Sequence, residues 1–360
     1  MRDVTRHCEH KRRYNPAMPR APSLPKNPAP NLLHWLAAVT FVLALAAAFW
    51  RAPQLPPGAF AEPSAPAVPT QAPLLRHGML PGVGGLLGAP SLTRLADGRM
   101  AIAWLAQADA PRHHDVIWFS TLNDDNWSEP YPVVSSEDAA GKLFAHIRHL
   151  ADPILFAHDG AVHLWFTAGG AGARRIVHTL SDDGGRHWQA PARLTTSPLG
   201  IADTGLRKAA LPLVDGGLGL PLRPTSISAR DEWLRLDADG RIVGKIRLPD
   251  DMPAAPWHPV SRPDTLADDR PQALIRLASG RLLLAGNTTA GTGTLAVWVG
   301  NADGSAWQAP RIIEAAADAD FSAPSLALAV DAGIHLAYGW RQQGIRHLRF
   351  NEAWLDGAPQ

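Results

Sequence analysis

The sequence predicts an all-β fold, a six-bladed β-propeller over residues 75–360, preceded by a single N-terminal transmembrane helix. Three observations lead to this prediction. Asp-Gly turns between apolar runs recur along the chain, a tryptophan motif alternates with them, and one uncharged apolar segment precedes both. The chain also contains 33 prolines and 31 glycines. Helices tolerate both residues poorly, so an all-helical protein is excluded.

Residues 1–31 are predicted to form a basic, proline-rich cytoplasmic tail. Basic side chains clearly outnumber acidic ones here, although the 360-residue chain as a whole has a formal net charge of only +1. That overall balance excludes a generally basic nucleic-acid binder. The prolines of the tail exclude helix from most of it, which favours disorder. The single cysteine, Cys8, excludes a disulfide framework and a cysteine metal site.

Residues 32–50 are predicted to form a transmembrane signal-anchor helix. They carry no full charge, and only His34 and Thr40 are polar. At about 1.5 Å per residue such a helix nearly spans a hydrocarbon core. Trp35 and Trp50 stand at its two ends, where aromatic rings prefer the membrane interface. Because the basic tail favours the cytoplasm, we expect a single-pass inner-membrane protein whose later residues are periplasmic or extracellular.

Residues 51–74 are typical of a proline-rich linker that would hold the next domain away from the membrane. Two alternatives concern the apolar segment before it. A buried core helix would explain its composition, but core helices rarely lack a polar face. A cleaved signal peptide is the stronger rival, since Ala59-Phe60-Ala61 resembles a small-residue cleavage site. That site lies among prolines well past the apolar run, which favours an uncleaved anchor.

One pattern recurs from about residue 75 onward. Each copy has a first apolar run, a turn that contains glycine, and a second apolar run. Asp-Gly between apolar runs is a strong hairpin signal, because a tight turn needs a positive φ. Each copy therefore predicts a β-hairpin. The turn glycines are Gly98, Gly160, Gly216, Gly280 and Gly333.

A tryptophan motif alternates with these turns. It reads Trp127-Ser-Glu-Pro130, Trp188-Gln-Ala-Pro191 and Trp307-Gln-Ala-Pro310, and each copy follows a polar, turn-like run. We expect each tryptophan to close the seam between neighbouring sheets. Division of residues 75–360 by six gives about 48 residues per blade, which is typical of propellers. A β-sandwich is the alternative, but it does not explain why two motifs alternate.

The run Ser181-x-Asp183-x-Gly185-x-x-Trp188 is similar to the Asp-box of the sialidase superfamily. Residues 97–104, 115–120 and 127–130 resemble the first blade of bacterial sialidase-like proteins with BNR repeats, and the likeness extends over roughly 85–355. The resemblance implies a six-bladed propeller with a site at the mouth of its central tunnel.

The resemblance also implies a chemistry. Sialidases hold a substrate carboxylate with three arginines, because the guanidinium fork pairs bidentately with a carboxylate. An aspartate donates the proton, and a tyrosine assisted by a glutamate is the nucleophile. The predicted catalytic residues are accordingly Asp115 as the acid and Tyr338 as the nucleophile. The predicted substrate-binding residues are Arg207, Arg270, Arg341 and Asp152.

Two functions remain open at this stage. The first is a membrane-anchored, extracytoplasmic exo-α-sialidase that hydrolyses a terminal acidic sugar with retention of configuration. The second is a catalytically inactive propeller that binds a glycan, such as a sialic-acid-like sugar, or an envelope protein partner. The resemblance implies an arginine just before the Ala89-Pro90 step and a tyrosine near Ala323, and this sequence has neither. These alanines favour the inactive protein, whereas the resemblance along the whole domain favours the enzyme.

No cofactor or metal site is predicted. The chain has 15 histidines, among them His113-His114 and His146 with His149, but their spacing is not typical of metal ligands. We expect most of them to face solvent on loops. Trp257 stands apart in a long loop over 249–270, where an exposed ring could stack on a sugar face.

Overall fold

The fold is given by a computed structural model. Four sequence predictions fall wholly or mostly outside the residues that it describes: the tail 1–31, most of the linker 51–74, Arg207 and Trp257. The described residues are 32–51, 60–61, 72–107, 114–170, 173–195, 205–206, 210–222, 232–247 and 261–357.

The chain divides into two compact units, and the first, Met1–Pro56, contains one described helix, α1 (Leu32–Arg51). No helix in the described part of the chain is long and apolar enough to cross a membrane. This finding corrects the predicted transmembrane anchor over 32–50 and the inner-membrane localisation that depended on it.

The second unit, Pro57–Gln360, consists mainly of strands. Two short helices accompany them, α2 (Ser136–Leu143) and α3 (Glu352–Asp356). The first ten strands are β1 (Leu75–Met79), β2 (Leu86–Arg94), β3 (Met100–Gln107), β4 (Val116–Asn123), β5 (Asn126–Trp127), β6 (Tyr131–Ser135), β7 (His149–His158), β8 (Ala161–Gly170), β9 (Ala173–Ser181) and β10 (Ala192–Leu194). The others are β11 (Leu211–Pro212), β12 (Leu218–Leu222), β13 (Glu232–Leu236), β14 (Ile242–Arg247), β15 (Ala273–Arg276), β16 (Leu282–Thr288), β17 (Gly291–Gly300), β18 (Arg311–Ala315), β19 (Phe321–Leu328), β20 (Ile334–Trp340) and β21 (Gly344–Phe350).

Within the described residues these strands form five separate antiparallel sheets. Strands β2 to β6 make one sheet, β7 to β10 the next, β11 to β14 the third and β15 to β18 the fourth. The fifth joins β19, β20 and β21 to β1, the first strand of the unit. These sheets form no closed barrel or propeller, so the predicted six-bladed propeller is wrong, although the predominance of strands is as expected.

The number of sheets follows from the number of predicted hairpin turns. Each turn connects the first two strands of one sheet in the order β2–β3, β7–β8, β11–β12, β15–β16 and β19–β20. Five turns therefore give five sheets, and dividing the domain by six overestimated their number. The turn chemistry itself is as predicted, with φ of 88° at Gly98 and 82° at Gly216. In the last sheet Ala332, with φ 61°, adopts the left-handed conformation instead of Gly333.

The seam between the β2–β6 and β7–β10 sheets contains the Asp-box. The Trp188 ring lies 5.5 Å from that of Phe119 on β4, between centroids, at an interplanar angle of 72°. Gly185 permits this approach, because an ideal Cβ there would lie 2.4 Å from the Phe119 ring. The Asp183 carboxylate accepts a 2.9 Å hydrogen bond from the backbone N–H of His187 and so fixes the turn. The expectation that this tryptophan closes a seam is confirmed.

Candidate functional site

Strands β2, β7 and β19 share an irregularity near their beginnings. In each of them the residue before a proline has a positive φ, 49° at Ala89, 51° at Asp152 and 51° at Ala323. The pairing with the next strand shifts register at each of these points. A residue before proline normally avoids this conformation, and such strain is found mainly at functional sites. These β-bulges are therefore the first candidates for a site.

Two serine side chains hold the three strands side by side. The Ser325 Oγ of β19 accepts a 2.9 Å hydrogen bond from the Leu92 N–H of β2. The Ser91 Oγ of β2 accepts another, also 2.9 Å, from the Leu155 N–H of β7. The three bulges consequently occur at one end of neighbouring strands. We call this end the bulge end, and we call the end that carries the Asp-Gly turns the turn end.

Asp152 is the only acid among the three bulge residues. Its side chain is half-buried, and its Oδ2 accepts a 3.2 Å hydrogen bond from Thr167 Oγ1 on β8. The bulged backbone and this hydrogen bond together fix the direction of the carboxylate. A carboxylate held in this way can accept further hydrogen bonds from the hydroxyl groups of a ligand.

Asp115 closes a loop at the bulge end. It is only 2% exposed, and its backbone oxygen accepts a 2.8 Å hydrogen bond from the Ser136 N–H at the beginning of α2. Its side-chain Oδ2 accepts a 2.9 Å hydrogen bond from the Leu150 N–H at the beginning of β7. One buried residue therefore holds both ends of segment 136–150. The acid role predicted for Asp115 stays a prediction, and these contacts give the residue a structural role.

His149 brings a titratable ring to the same place. Its Nδ1 lies 3.3 Å from Asp115 Oδ2, while its side chain is 76% exposed. With Nδ1 facing Asp115, Nε2 is the ring nitrogen available to a ligand. A histidine oriented by a buried carboxylate is a recurrent arrangement for binding or moving a proton.

Two arginines near His149 have no acidic partner among the described residues. The backbone N–H of Arg148 donates a 2.9 Å hydrogen bond to the backbone oxygen of Gly169 on β8. On the other edge of β8, Gly169 is paired with Arg174 of β9. Both arginine side chains are exposed. Gly169 on β8 is paired with His149 on β7 and with Arg174 on β9. Because glycine has no side chain, no side chain stands between His149 and Arg174 at this register position. The bulge end therefore presents two exposed arginines, and the sheet that contains Arg174 also contains Asp152.

Tyr338, the predicted nucleophile, lies inside the protein. It is 0% exposed, and its hydroxyl donates a 2.7 Å hydrogen bond to Glu314 Oε1. Burial and the adjacent glutamate raise the pKa of the tyrosine well above its ordinary value. The same glutamate oxygen accepts a hydrogen bond from Arg346. The tyrosine thus belongs to a polar contact between β18 and the last sheet.

Two of the three predicted arginines, Arg270 and Arg341, lie in the described part of the chain, and each has a neighbouring partner. Arg270 is exposed, with its nearest acid, Asp269, 3.6 Å away. The Arg341 guanidinium lies over the Trp340 ring at 4.9 Å from the centroid. Arg207 is outside the described residues. Their substrate-binding role stays a prediction.

His149 and Arg174 were not predicted as site residues. His149 lies 34 positions from Asp115, and this contact depends on the packing of two sheets. The sequence feature that indicated this end of the sheet is Asp152-Pro153. There a residue other than glycine precedes a proline at a position where the repeat predicts a strand. In the described residues no group of three or more histidine, cysteine, aspartate or glutamate side chains could hold a metal ion.

Two surface clefts of about 300 Å³ and 460 Å³ lie elsewhere. Both are lined by residues of β1 and β21, and neither includes a residue predicted for the site.

Comparison with known proteins gives three findings. A family model described as a BNR repeat-like domain matches residues 98–256. A search among curated proteins found no match. Among solved structures the chain is similar to the NanB sialidase from Streptococcus pneumoniae, with 10% identity and a TM-score of 0.55 over 81% of this chain and 70% of that one.

A second similar structure is the Hadza microbial sialidase Hz136. The identity is 13% and the TM-score 0.53, over 73% of this chain and 65% of the other. This chain therefore spans slightly less than two thirds of that sialidase. At such identities the likeness concerns the fold. The family match over residues 98–256 and the two sialidase folds support a likeness to BNR-repeat, sialidase-like proteins.

Proposed function

We propose that this chain binds a glycan at the bulge end and does not cleave it through a tyrosine nucleophile. The sialidase folds and the BNR repeat-like match support a glycan-related protein. One observation carries the proposal, the complete burial of Tyr338. A nucleophile must approach the reacting carbon to about 3–3.5 Å, and a sugar in solvent has no access to this hydroxyl.

The polar groups of the bulge end suit a terminal acidic sugar. Asp152 accepts hydrogen bonds from sugar hydroxyls, and His149 Nε2 supplies a further polar contact. Arg148 and Arg174 offer charge-assisted hydrogen bonds to a carboxylate. Because neither arginine is paired with an acid of the described residues, binding requires no internal ion pair to break.

Hydrolysis of the sialidase type is the second candidate. It is favoured by the 2.7 Å hydrogen bond between Tyr338 and Glu314, the pair that this chemistry uses. The phenolic oxygen would bond to the anomeric carbon as its proton passes to Glu314, and the glycosidic bond would break as Asp115 protonates the leaving oxygen. Water would then release the sugar from the tyrosine. This route requires a conformation in which Tyr338 is uncovered.

The test uses the purified full-length chain. We expect isothermal titration to detect binding of 3′-sialyllactose, and we expect no release from a fluorogenic sialoside above a buffer blank. Tyr338→Phe should leave binding unchanged and cost about 1 kcal/mol of stability, because it removes one buried hydrogen bond. Tyr131→Phe is the matched control, since Tyr131 is the other tyrosine among the described residues.

Two results would overturn the proposal. The first is release of the fluorophore by the wild type that Tyr338→Phe abolishes and Tyr131→Phe preserves, which would establish the hydrolase. The second is the absence of binding to 3′-sialyllactose and to every sugar on a glycan array.

A further inference from the structure

Phe144 breaks two rules of local structure at once. It is 97% exposed, more than any other large apolar side chain that the structure describes. It also has φ 47° and ψ 50°, and it is the only aromatic residue with a positive φ in the described part of the chain. Its position terminates α2, where glycine or asparagine is normally preferred. Neither packing nor backbone preference accounts for a phenylalanine here.

The surrounding segment holds the backbone of Phe144 in place. Helix α2 begins with a capping box in which the Ser135 Oγ accepts a 3.0 Å hydrogen bond from the Asp138 N–H. After the helix, the Ala145 N–H donates to the Ala140 oxygen at 3.1 Å. Both ends of segment 136–150 are bonded to Asp115, as described above. Phe144 is thus presented by an anchored loop at the bulge end.

We propose that Phe144 is a stacking platform for the apolar face of a sugar ring. This inference rests on the proposed glycan binding and adds the contact that recognises the ring rather than its polar substituents. Aromatic rings bind sugars through the C–H groups of one sugar face, a contact that excludes water from both surfaces. Residues held in unfavourable backbone conformations cluster at ligand-binding positions, and violations of local rules mark functional sites.

The charges near Phe144 agree with this occupant. His149 and Arg148 follow it on the same loop, and Asp152 lies a few residues into β7. Because these residues follow Phe144 closely in the sequence, we expect a sugar stacked on the ring to use them as partners for its hydroxyl and carboxylate groups. The platform would contribute affinity, and the polar groups would fix the orientation of the sugar.

The experiment measures 3′-sialyllactose affinity and thermal unfolding on the same full-length variants. We expect Phe144→Ala to weaken binding about three- to tenfold and Phe144→Trp to preserve it. Phe144→Gly should weaken binding similarly while raising the unfolding temperature, because glycine adopts a positive φ without strain. Val214→Ala is the control, since Val214 is 70% exposed at the turn end, and it should leave the affinity unchanged.

The outcomes separate this inference from the function on which it rests. If the wild type binds and Phe144→Ala binds equally well, the platform is disproved and glycan binding stands. If Val214→Ala weakens binding as much as Phe144→Ala, the effect is not specific to the platform, and the inference fails. If the wild type binds no glycan, both proposals fall.

Discussion

At the turn end of the sheets three acidic side chains are paired with arginines, whereas at the bulge end two arginines have no acidic partner among the described residues. Asp97 lies 2.7 Å from Arg99, and Asp331 lies 2.6 Å from Arg349. Arg235, which is almost fully buried, pairs with Asp215. Arrangements of this kind satisfy charges within the fold. Arg148 and Arg174 have no such partner among the described residues, so under the proposed glycan binding they remain available to a ligand.

The turn end also contains two buried histidine pairs near the beginnings of β8 and β20. His163 Nδ1 lies 3.0 Å from His178 Nε2, and His335 Nδ1 lies 2.9 Å from His347 Nε2. Burial lowers the pKa of His163 and His347 to about 4, and that of His178 and His335 to about 3. His163 lowers the pKa of His178 further, and His347 and Arg349 lower that of His335. Arg349 also lowers the pKa of His347.

The largest expected effect is therefore a loss of stability in acid. In the unfolded chain these histidines titrate near pH 6.5, so between that pH and about 4 the unfolded state binds more protons than the folded one. The stability is fully present above about pH 6.5 and is lost as the pH falls through the folded-state pKa values. Because each pKa unit corresponds to about 1.4 kcal/mol, the combined loss is several kcal/mol.

Urea unfolding at pH values from 8 to 4.5 measures this loss. The variant His163→Gln retains a hydrogen-bonding group for His178 but cannot be protonated, so its stability should depend less steeply on pH. An identical pH dependence in the wild type and the variant would show that the pair does not govern acid unfolding.

The next effect concerns the Asp-box turn. Gly185 has φ 93°, and an added Cβ would lie 2.4 Å from Phe119. Gly185→Ala should therefore cost about 3 kcal/mol through backbone strain and overpacking. Gly160→Ala is the matched control, since Gly160 has φ 81° with nothing within 4 Å, and it should cost only about 1 kcal/mol of backbone strain.

Urea titration compares these two glycine variants, and titration with 3′-sialyllactose examines the folded fraction of each. If the turn end serves stability alone, both variants bind with the affinity of the wild type. Equal destabilisation by the two substitutions would mean that contact with Phe119 is not what constrains this turn.

The two ends also differ in how far the sequence could predict them. The turns depend on short-range chemistry, and Asp-Gly at 97–98 and 215–216 correctly predicted hairpins. The packing of Trp188 was predictable because the Asp-box is a local motif. The number of sheets matches the five predicted hairpin turns, whereas dividing the chain length by six overestimated it. The anchor over 32–50 was inferred from composition, and the described helices do not meet the length and apolarity that a span requires.

The bulge end was predictable only in part. Asp152 was identified because it stands in a repeat position before a proline. His149 and Arg174 were not identified. Their environment depends on long-range contacts such as the hydrogen bond between Asp115 and Leu150, which lie 35 positions apart in the sequence. Phe144 is recognisable only once the end of α2 and the exposure of the ring are known. Long-range packing, rather than any motif, determines which side chains surround Asp152.

The smallest effect we predict examines the unpaired charge directly. Arg174→Gln keeps a side chain of similar length with hydrogen-bonding capacity but removes the charge, so the affinity for 3′-sialyllactose should fall about tenfold, a typical value for one charge-assisted contact. The affinity for lactose, which has no carboxylate, should not change. Arg193→Gln is the control, because Arg193 is an exposed arginine on β10 of the same sheet. Isothermal titration with both sugars measures these affinities. Equal losses for the acidic and the neutral sugar, or an equal loss in the control variant, would mean that Arg174 has no specific role in binding. The contrast between the two ends would then not extend to ligand selection.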